Sequence, residues 1–331
     1  MILVTGGTGL VGAHLLLQLT SSGEKVRAIY RKNNLHQVLD TFSFYHSKEE
    51  ARNLYNQIEW VKADVLDIPA LTDAFKNIDR VYHCAALVSF DMADSRKLRK
   101  VNIEGTANVV NLCIASEVKK LCFVSSIATL NKTVGSEKIT EETAWNPSIF
   151  HTDYEITKYG AEIEVWRATQ EGVNAIIVNP GIILGPGYSG SADIFLKVKN
   201  GLKFHFPKIT GFVGVHDVVN AMVALMNSNI KNEHFILVSE NESFKNVLEK
   251  IAFHLNQKPP TISLKPWMVK MGWFLQFFYG LFGGKKQLNR DSSKSLFETS
   301  IYSNEKTLNN LNFQFEPLEK VISKSADFYK N

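Results

Sequence analysis

The stretch Met1-Ile2-Leu3-Val4-Thr5-Gly6-Gly7-Thr8-Gly9-Leu10-Val11-Gly12 runs from a short apolar strand through a glycine-rich turn into the helical pattern Leu10–Ser22. Between a strand and a helix such a turn carries information about ligands. Gly6 and Gly9, lacking side chains, allow a tight turn and let a pyrophosphate approach the backbone, and Gly12 lets the helix pack closely on the strand. The start of the helix adds amide donors and a favourable dipole for phosphates. Gly6, Thr8, Gly9, Leu10, Val11 and Gly12 are therefore the expected phosphate-side positions of a dinucleotide site.

Outward from this turn the first half of the chain alternates strand-like and helix-like segments, the pattern of a parallel sheet covered on both faces. Met1–Thr5, Lys25–Tyr30, Ile58–Lys62, Arg80–Cys84, Lys120–Ser125 and Asn174–Asn179 read as six strands. The helical patterns are Leu10–Ser22, Ile68–Lys76, Ser95–Ser116 and Asp153–Glu171, with Asn33–Asn56 as a polar helical insertion at the surface. After Pro186 the rhythm becomes irregular and richer in glycine and aromatic residues. The expected architecture is an α/β, Rossmann-type doubly wound parallel sheet over residues 1–186. A smaller, mainly C-terminal substrate-binding lobe is expected over 187–331, with segments returning to the main sheet.

Composition excludes several classes. Of 331 residues, 45% are apolar and 21% charged, which is the balance of an ordinary globular chain rather than a disordered or fibrous one. A net charge of +4 and the lack of a basic, aromatic-studded stripe give no reason to expect nucleic acid. Cys84, Cys113 and Cys122 lie in apolar runs at poor metal-ligand spacing and read as buried reduced thiols; no metal is expected. Met1–Val4 reads as a strand from the first residue, so no leader peptide and a cytoplasmic location are expected. The segment Trp267–Gly284 is apolar but short and interrupted for a span; its composition fits a buried pocket-lining helix best, then peripheral membrane or partner contact through 267–282, and a span least.

Tyr154-Glu155-Ile156-Thr157-Lys158 places a phenol and an ammonium four residues apart on one predicted helix face. The same spacing recurs at Tyr302 and Lys306, so spacing alone decides nothing. Position does: Tyr154 and Lys158 follow the strand ending Phe123-Val124-Ser125-Ser126, whereas no serine-bearing strand end precedes Tyr302 at a suitable distance. A phenol titrates near 10 in isolation, and an adjacent ammonium favours its ionised form, fitting Tyr154 for proton exchange with a substrate oxygen.

The Gly-x-x-Gly-x-x-Gly spacing after Thr5, with Ser126, Tyr154 and Lys158, resembles the extended short-chain dehydrogenase/reductase family, also called the NAD-dependent epimerase/dehydratase family. The resemblance implies that Ser126 hydrogen-bonds the reacting substrate oxygen, with Ser125 as the fallback, and that Lys158 also holds the nicotinamide ribose. It implies further cofactor contacts at Asp64 and Val65 after the third strand, at Ala85 and Ala86 after the fourth, at Asn102, and at Pro180, Ile182 and Ile183. Family members that take NAD end the second strand with an acidic residue, but here Arg31 and Lys32 stand there, which suits the 2′-phosphate of NADP(H) over NAD(H).

Within the family, Val81–Phe90, Ser125–Asn131 and Asn179–Gly187 look most like the dihydroflavonol 4-reductase and 3β-hydroxysteroid dehydrogenase branch. Ile127-Ala128 stand where dehydratases carry an Asp-Glu pair, and Thr210 stands where sugar-nucleotide enzymes carry an arginine. The expected activity is hydride transfer between nicotinamide and a bulky, relatively apolar ketone or aldehyde, or the matching alcohol. Phe90, Met92, Phe150 and His151 are candidate pocket residues. A nucleotide-sugar epimerase and a non-catalytic cofactor-binding regulator or scaffold stand as alternatives. A homodimer through Ser95–Ser116 and Asp153–Glu171 is a further implication of the resemblance.

Overall fold

The computed structural model describes residues 1–131, 137–268 and 297–330. Most of the apolar segment 267–282 lies outside the described residues. Seven parallel strands form the main sheet: β1 (Ile2–Thr5), β2 (Val26–Tyr30), β3 (Ile58–Lys62), β4 (Arg80–His83), β5 (Lys120–Val124), β6 (Asn174–Pro180) and β10 (Glu233–Leu237). Their order, β10-β6-β5-β4-β1-β2-β3, reverses direction of growth between β1 and β4. Ligands of open α/β sheets bind outside the carboxyl ends of the strands at such a reversal.

The unbroken apolar run Ile2-Leu3-Val4 follows from this topology, because a parallel strand covered by helices is buried on both sides. Ile2 and Val4 enter one core with Leu15, Leu16 and Leu19 of α1 (Leu10–Ser21) and Met222 of α9 (Val215–Asn227). Leu3 enters the opposite core with Val109 and Val110 of α6 (Gly105–Ala115) and Ala161 and Val165 of α7 (Asp153–Gln170).

Two local features depart from the sequence-based outline. The insertion after β2 forms α2 (His36–Tyr45) and α3 (Lys48–Asn56), separated by a capping box at Ser47 and Glu50, but it is not only a surface feature. Val38 and Phe42 are fully buried against the α1 core. The long helical pattern from Ser95 is divided: α5 (Ser95–Leu98) leads into a π-helical stretch, Arg99–Glu104, before α6. Such bulges widen a helix locally and recur at functional sites.

Beyond β6 the chain builds a three-stranded sheet from β7 (Ile182–Leu184), β9 (Ile209–Gly214) and β11 (Glu240–Ser243). A separate core there joins Phe195 of α8 (Ala192–Lys199), Phe212, Ile251 of α10 (Phe244–His254) and Ile322 of the C-terminal helix, Leu318–Lys330. Between β9 and β11 the chain returns to the main sheet through β10, which pairs with β6 in register from Glu233↔Ile176 to Leu237↔Pro180.

Lys120, at the start of β5, is nearly buried, and its Nζ donates to Leu225 O at 2.7 Å and Ser228 O at 2.8 Å, satisfying carbonyls at the end of α9. Charged hydrogen bonds of this kind contribute about 1.5–3 kcal/mol. Lys120→Met is expected to lower unfolding free energy by about 1–3 kcal/mol, read from urea midpoints at unchanged m-value.

Candidate active site

The turn after β1 and the turn after β4 touch backbone to backbone. Gly6 adopts φ +69, and a Cβ there would sit 2.6 Å from Ala85 N, so only glycine fits. A Cβ at Gly12 would lie 2.2 Å from Gly6 O, which makes the third glycine a packing requirement of the turn itself. Gly9 N–H donates to Gly6 O at 2.9 Å, and α1 starts at Gly9 with no side-chain cap and no acidic residue in its first turn. With no capping side chain at Gly9, that helix start suits an anion. Val11 is buried in the core, which leaves its main chain as the part available to a ligand.

One partner of this turn comes from far along the chain. Leu10 N–H donates to Ser189 Oγ at 3.0 Å. The Ser189 segment is tethered by Tyr188, whose hydroxyl donates to Asp40 Oδ2 at 3.0 Å, and by the Tyr329 hydroxyl 2.9 Å from Gly187 O. Sequence reading missed Ser189, because nothing local separates it from a loop serine.

At the β2 end, Arg31 is half-exposed and its Nη1 lies 3.6 Å from Asp64 Oδ2. Asp64 is oriented by Leu66 N–H, which donates to Oδ1 at 3.0 Å. Lys32 is exposed beside them. The side chain of Val65 is buried under Gly105, while its carbonyl accepts from Asn108 Nδ2 at 2.9 Å. Arg31 and Asp64 are thus brought together just beyond the carboxyl ends of β2 and β3.

The turn after β4 is supported from below by a chain of polar groups. Ala85 N–H donates to Thr5 Oγ1 at 3.2 Å, and Thr5 and Thr106 hydroxyls bracket the two nitrogens of buried His83 at 2.6 and 3.0 Å. Burial, with the Lys158 ammonium adding to it, pushes His83 down to about 3, so it stays a neutral imidazole. Asn102, inside the π-helical stretch, accepts from Leu87 N–H at 2.8 Å, and its Nδ2 donates to Leu87 O at 3.0 Å and Thr157 Oγ1 at 3.1 Å. It therefore joins the segment after β4 to α7.

Ser126 caps a short 3₁₀ turn, Ile127–Thr129, at the end of β5. Tyr154 and Lys158 lie one turn apart near the start of α7, which a Thr152–Glu155 capping box fixes. Burial raises Tyr154 above the usual phenol value, and a hydrogen bond from Ser126 acts in the opposite direction. Lys158 is 1% exposed; its Nζ donates to Val124 O at 2.8 Å and sits 4.3 Å from the centre of the Phe123 ring. Burial pushes it down to about 8, against the raising effect of Glu162. Pro180 ends β6, next to Asn179, whose Nδ2 reaches Ser126 O at 3.2 Å; Ile182 and Ile183 follow in β7.

The second Tyr-x-x-x-Lys pair does not share one helix: Tyr302 is buried before the helix Glu305–Leu311, and Lys306 is bound to Glu233 at 2.6 Å. His151 is held away from a free position by stacking on Trp145 at 3.7 Å, and its Nε2 lies 2.8 Å from Asn146 O. Phe90 stands over Tyr154 with ring centres 5.7 Å apart. Cys113 and Cys122 are buried free thiols, and burial pushes the half-buried Cys84 up to about 12.

Residues 2–237 match the model of the NAD dependent epimerase/dehydratase family. The chain belongs to this family. It is an NAD(P)-dependent enzyme of the extended short-chain dehydrogenase type. Sterol demethylase protein B of Methylococcus capsulatus is 28% identical over 270 residues, covering 80% of this chain and 77% of that protein. A putative dihydroflavonol 4-reductase of Synechocystis is 22% identical over 337 residues, covering 99% and 94%. Among solved structures, that of gox2253 superposes with a TM-score of 0.81 at 23% identity, covering 100% of this chain and 98% of that one. Among the described residues, no helix is long and apolar enough to cross a membrane.

The glycine cradle, the uncapped helix start and the basic edge at Arg31 fit a dinucleotide. Gly6→Ala sets a Cβ against the Ala85 backbone and is expected to raise the Kd for ADP-ribose at least about tenfold, measured by isothermal titration calorimetry.

Proposed function

We propose that the enzyme is an NADP-dependent reductase of bulky, relatively apolar ketones or aldehydes, working reversibly as an alcohol dehydrogenase. The observation that carries this reading is the exposed ring of Phe90 over Tyr154, with further exposed apolar side chains next to both residues in the chain. Phe90 lies against the Tyr154 ring, and Val88, Phe90, Met92, Ile149 and Phe150 are 46–67% exposed. Large apolar side chains left open beside a polar centre suit a ligand that covers them. A relative whose name refers to a sterol is in keeping with such a substrate.

When bound, the nicotinamide supplies or accepts the hydride. The chain's own residues handle the oxygen and its proton. Ser126 orients the carbonyl oxygen, and Tyr154 gives it a proton in reduction or takes one from the alcohol in oxidation. The Lys158 ammonium, one turn away, favours the phenolate that the proton transfer leaves behind. Asn102 holds Thr157, and hence this turn of α7, against the segment after β4.

Residues 1–186 would hold the cofactor and 187–331 the substrate, with β10 as the segment that rejoins the sheet. The epimerase reading is weaker. Thr210, where a diphosphate would need a cation, is a buried neutral side chain in β9. NADP is favoured because Arg31 presents a half-exposed guanidinium that can fork onto a 2′-phosphate, with Lys32 beside it.

Two experiments test the proposal. With a panel of aromatic and polycyclic carbonyls, Tyr154→Phe is expected to lower kcat about 10²–10⁴-fold. Full turnover in that variant would remove Tyr154 from the chemistry. Wild-type protein is expected to bind 2′,5′-ADP more tightly than 5′-AMP, and Arg31→Gln to erase about tenfold or more of that difference. Equal binding of the two nucleotides by the wild type would remove Arg31 from cofactor selection.

A further inference from the structure

One turn beyond Lys158, on the same face of α7, lies a second buried ionisable group that the chemistry above does not use. Glu162 is 4% exposed. Its Oε1 accepts from Asn179 Nδ2 at 2.7 Å and from Thr129 Oγ1 at 2.8 Å. Thr129 closes the turn that Ser126 opens, and the Asn179 amide also reaches Ser126 O at 3.2 Å. The carboxylate therefore ties the helix carrying Tyr154 and Lys158 to the segment carrying Ser126.

A carboxyl group at this depth is costly, and well-packed apolar side chains would fill the same volume at lower cost. The charge next to it supplies the reason. Lys158 has a backbone carbonyl and the face of Phe123 as its nearest partners, and neither bears a full negative charge. From the end of β4 and the residue after it, Lys158 faces His83 and Cys84, which burial keeps neutral; from its own helix it faces Glu162. Among the described residues that face Lys158, Glu162 is the one carboxylate. Burial raises Glu162, while hydrogen bonds and the Lys158 charge hold it down.

We propose that Glu162 is a positioning residue of the active site: its carboxylate keeps the buried Lys158 an ammonium and locks the Ser126 turn onto α7. This rests on the reading of Tyr154 and Lys158 given under the proposed function. The sign of its effect follows from desolvation. Burial alone favours a neutral lysine, so without the carboxylate Lys158 loses its proton at lower pH, and support for the Tyr154 phenolate is lost there too.

Glu162→Gln keeps the volume and an oxygen for Asn179 and Thr129 but removes the charge. The titration of Lys158 is read by NMR on ¹³C-lysine-labelled protein without added cofactor, its signal assigned by loss in Lys158→Arg. In Glu162→Gln the Lys158 midpoint is expected at least one pH unit below wild type. The alkaline limb of carbonyl reduction shifts down with it. Glu162→Asp, which withdraws the carboxylate by one methylene, gives an intermediate midpoint. It also serves as the test if the Gln variant does not fold, and an unchanged midpoint in that variant overturns the proposal. An unchanged midpoint in Glu162→Gln overturns it as well, including where activity falls equally at every pH, since that pattern belongs to a brace without electrostatic effect. Full turnover in Tyr154→Phe would instead sink the catalytic reading and leave the Lys158–Glu162 pairing to be judged by the titration.

Discussion

The contact between the turn after β1 and the turn after β4 sets the geometry of everything above the sheet. At Gly6 the two backbones approach so closely that no side-chain atom fits between them. Strand order reverses at this point, so the chain on one side runs outward to Arg31 and Asp64 and on the other to Ser126, Tyr154 and Lys158. A dinucleotide laid across the crevice would span both directions from a single fixed centre. The His83, Thr5 and Thr106 chain beneath Ala85 holds that centre still without introducing a charge, because the imidazole is too deeply buried to protonate at neutral pH.

A different economy governs the chemical end. There the fold accepts a buried ammonium at Lys158 and a buried carboxyl at Glu162, two groups that stability alone would replace with hydrocarbon. The expense is confined to one face of α7, and the surrounding partners are neutral: Val124 O, Thr129, Asn179 and the Phe123 ring. Low local dielectric makes each charge act strongly on its neighbour. Tyr154 sits one turn before Lys158, half-buried and beside the exposed Phe90.

The main sheet was legible because its signals are local. Continuous apolar runs, glycine turns and 3.6-residue periodicity mark the strands up to Pro180 and the helices beginning at Leu10, Ile68 and Asp153 with boundaries within a residue or two. The glycine loop was legible for the same reason, whereas the Tyr154–Lys158 pair was set apart from Tyr302 and Lys306 only by its place after the strand end at Ser126. Features made by distant segments were not. β10 begins at Glu233 and looks like any short strand; only its register on β6 makes it the sheet edge. Ser189 meets Leu10 across 179 positions, and Glu162 reads as one more polar helix residue until the burial of its face is known.

The π-helical stretch at Arg99–Glu104 has the same origin. A regular helix through this segment would turn Asn102 differently from the orientation in which it reaches Leu87 and Thr157 together. The backbone gives up ideal helical hydrogen bonding there, and the side chain recovers three hydrogen bonds that join the cofactor-side turn to the helix bearing Tyr154. Asn102 is 1% exposed, so those bonds form out of water, where an unsatisfied amide would cost about 1–3 kcal/mol. The π-helical stretch and the paired amide occur together: within the widened turn Asn102 meets both the segment after β4 and α7. Helical periodicity in the sequence is blind to such a trade, since both residue types and their spacing are compatible with an uninterrupted helix.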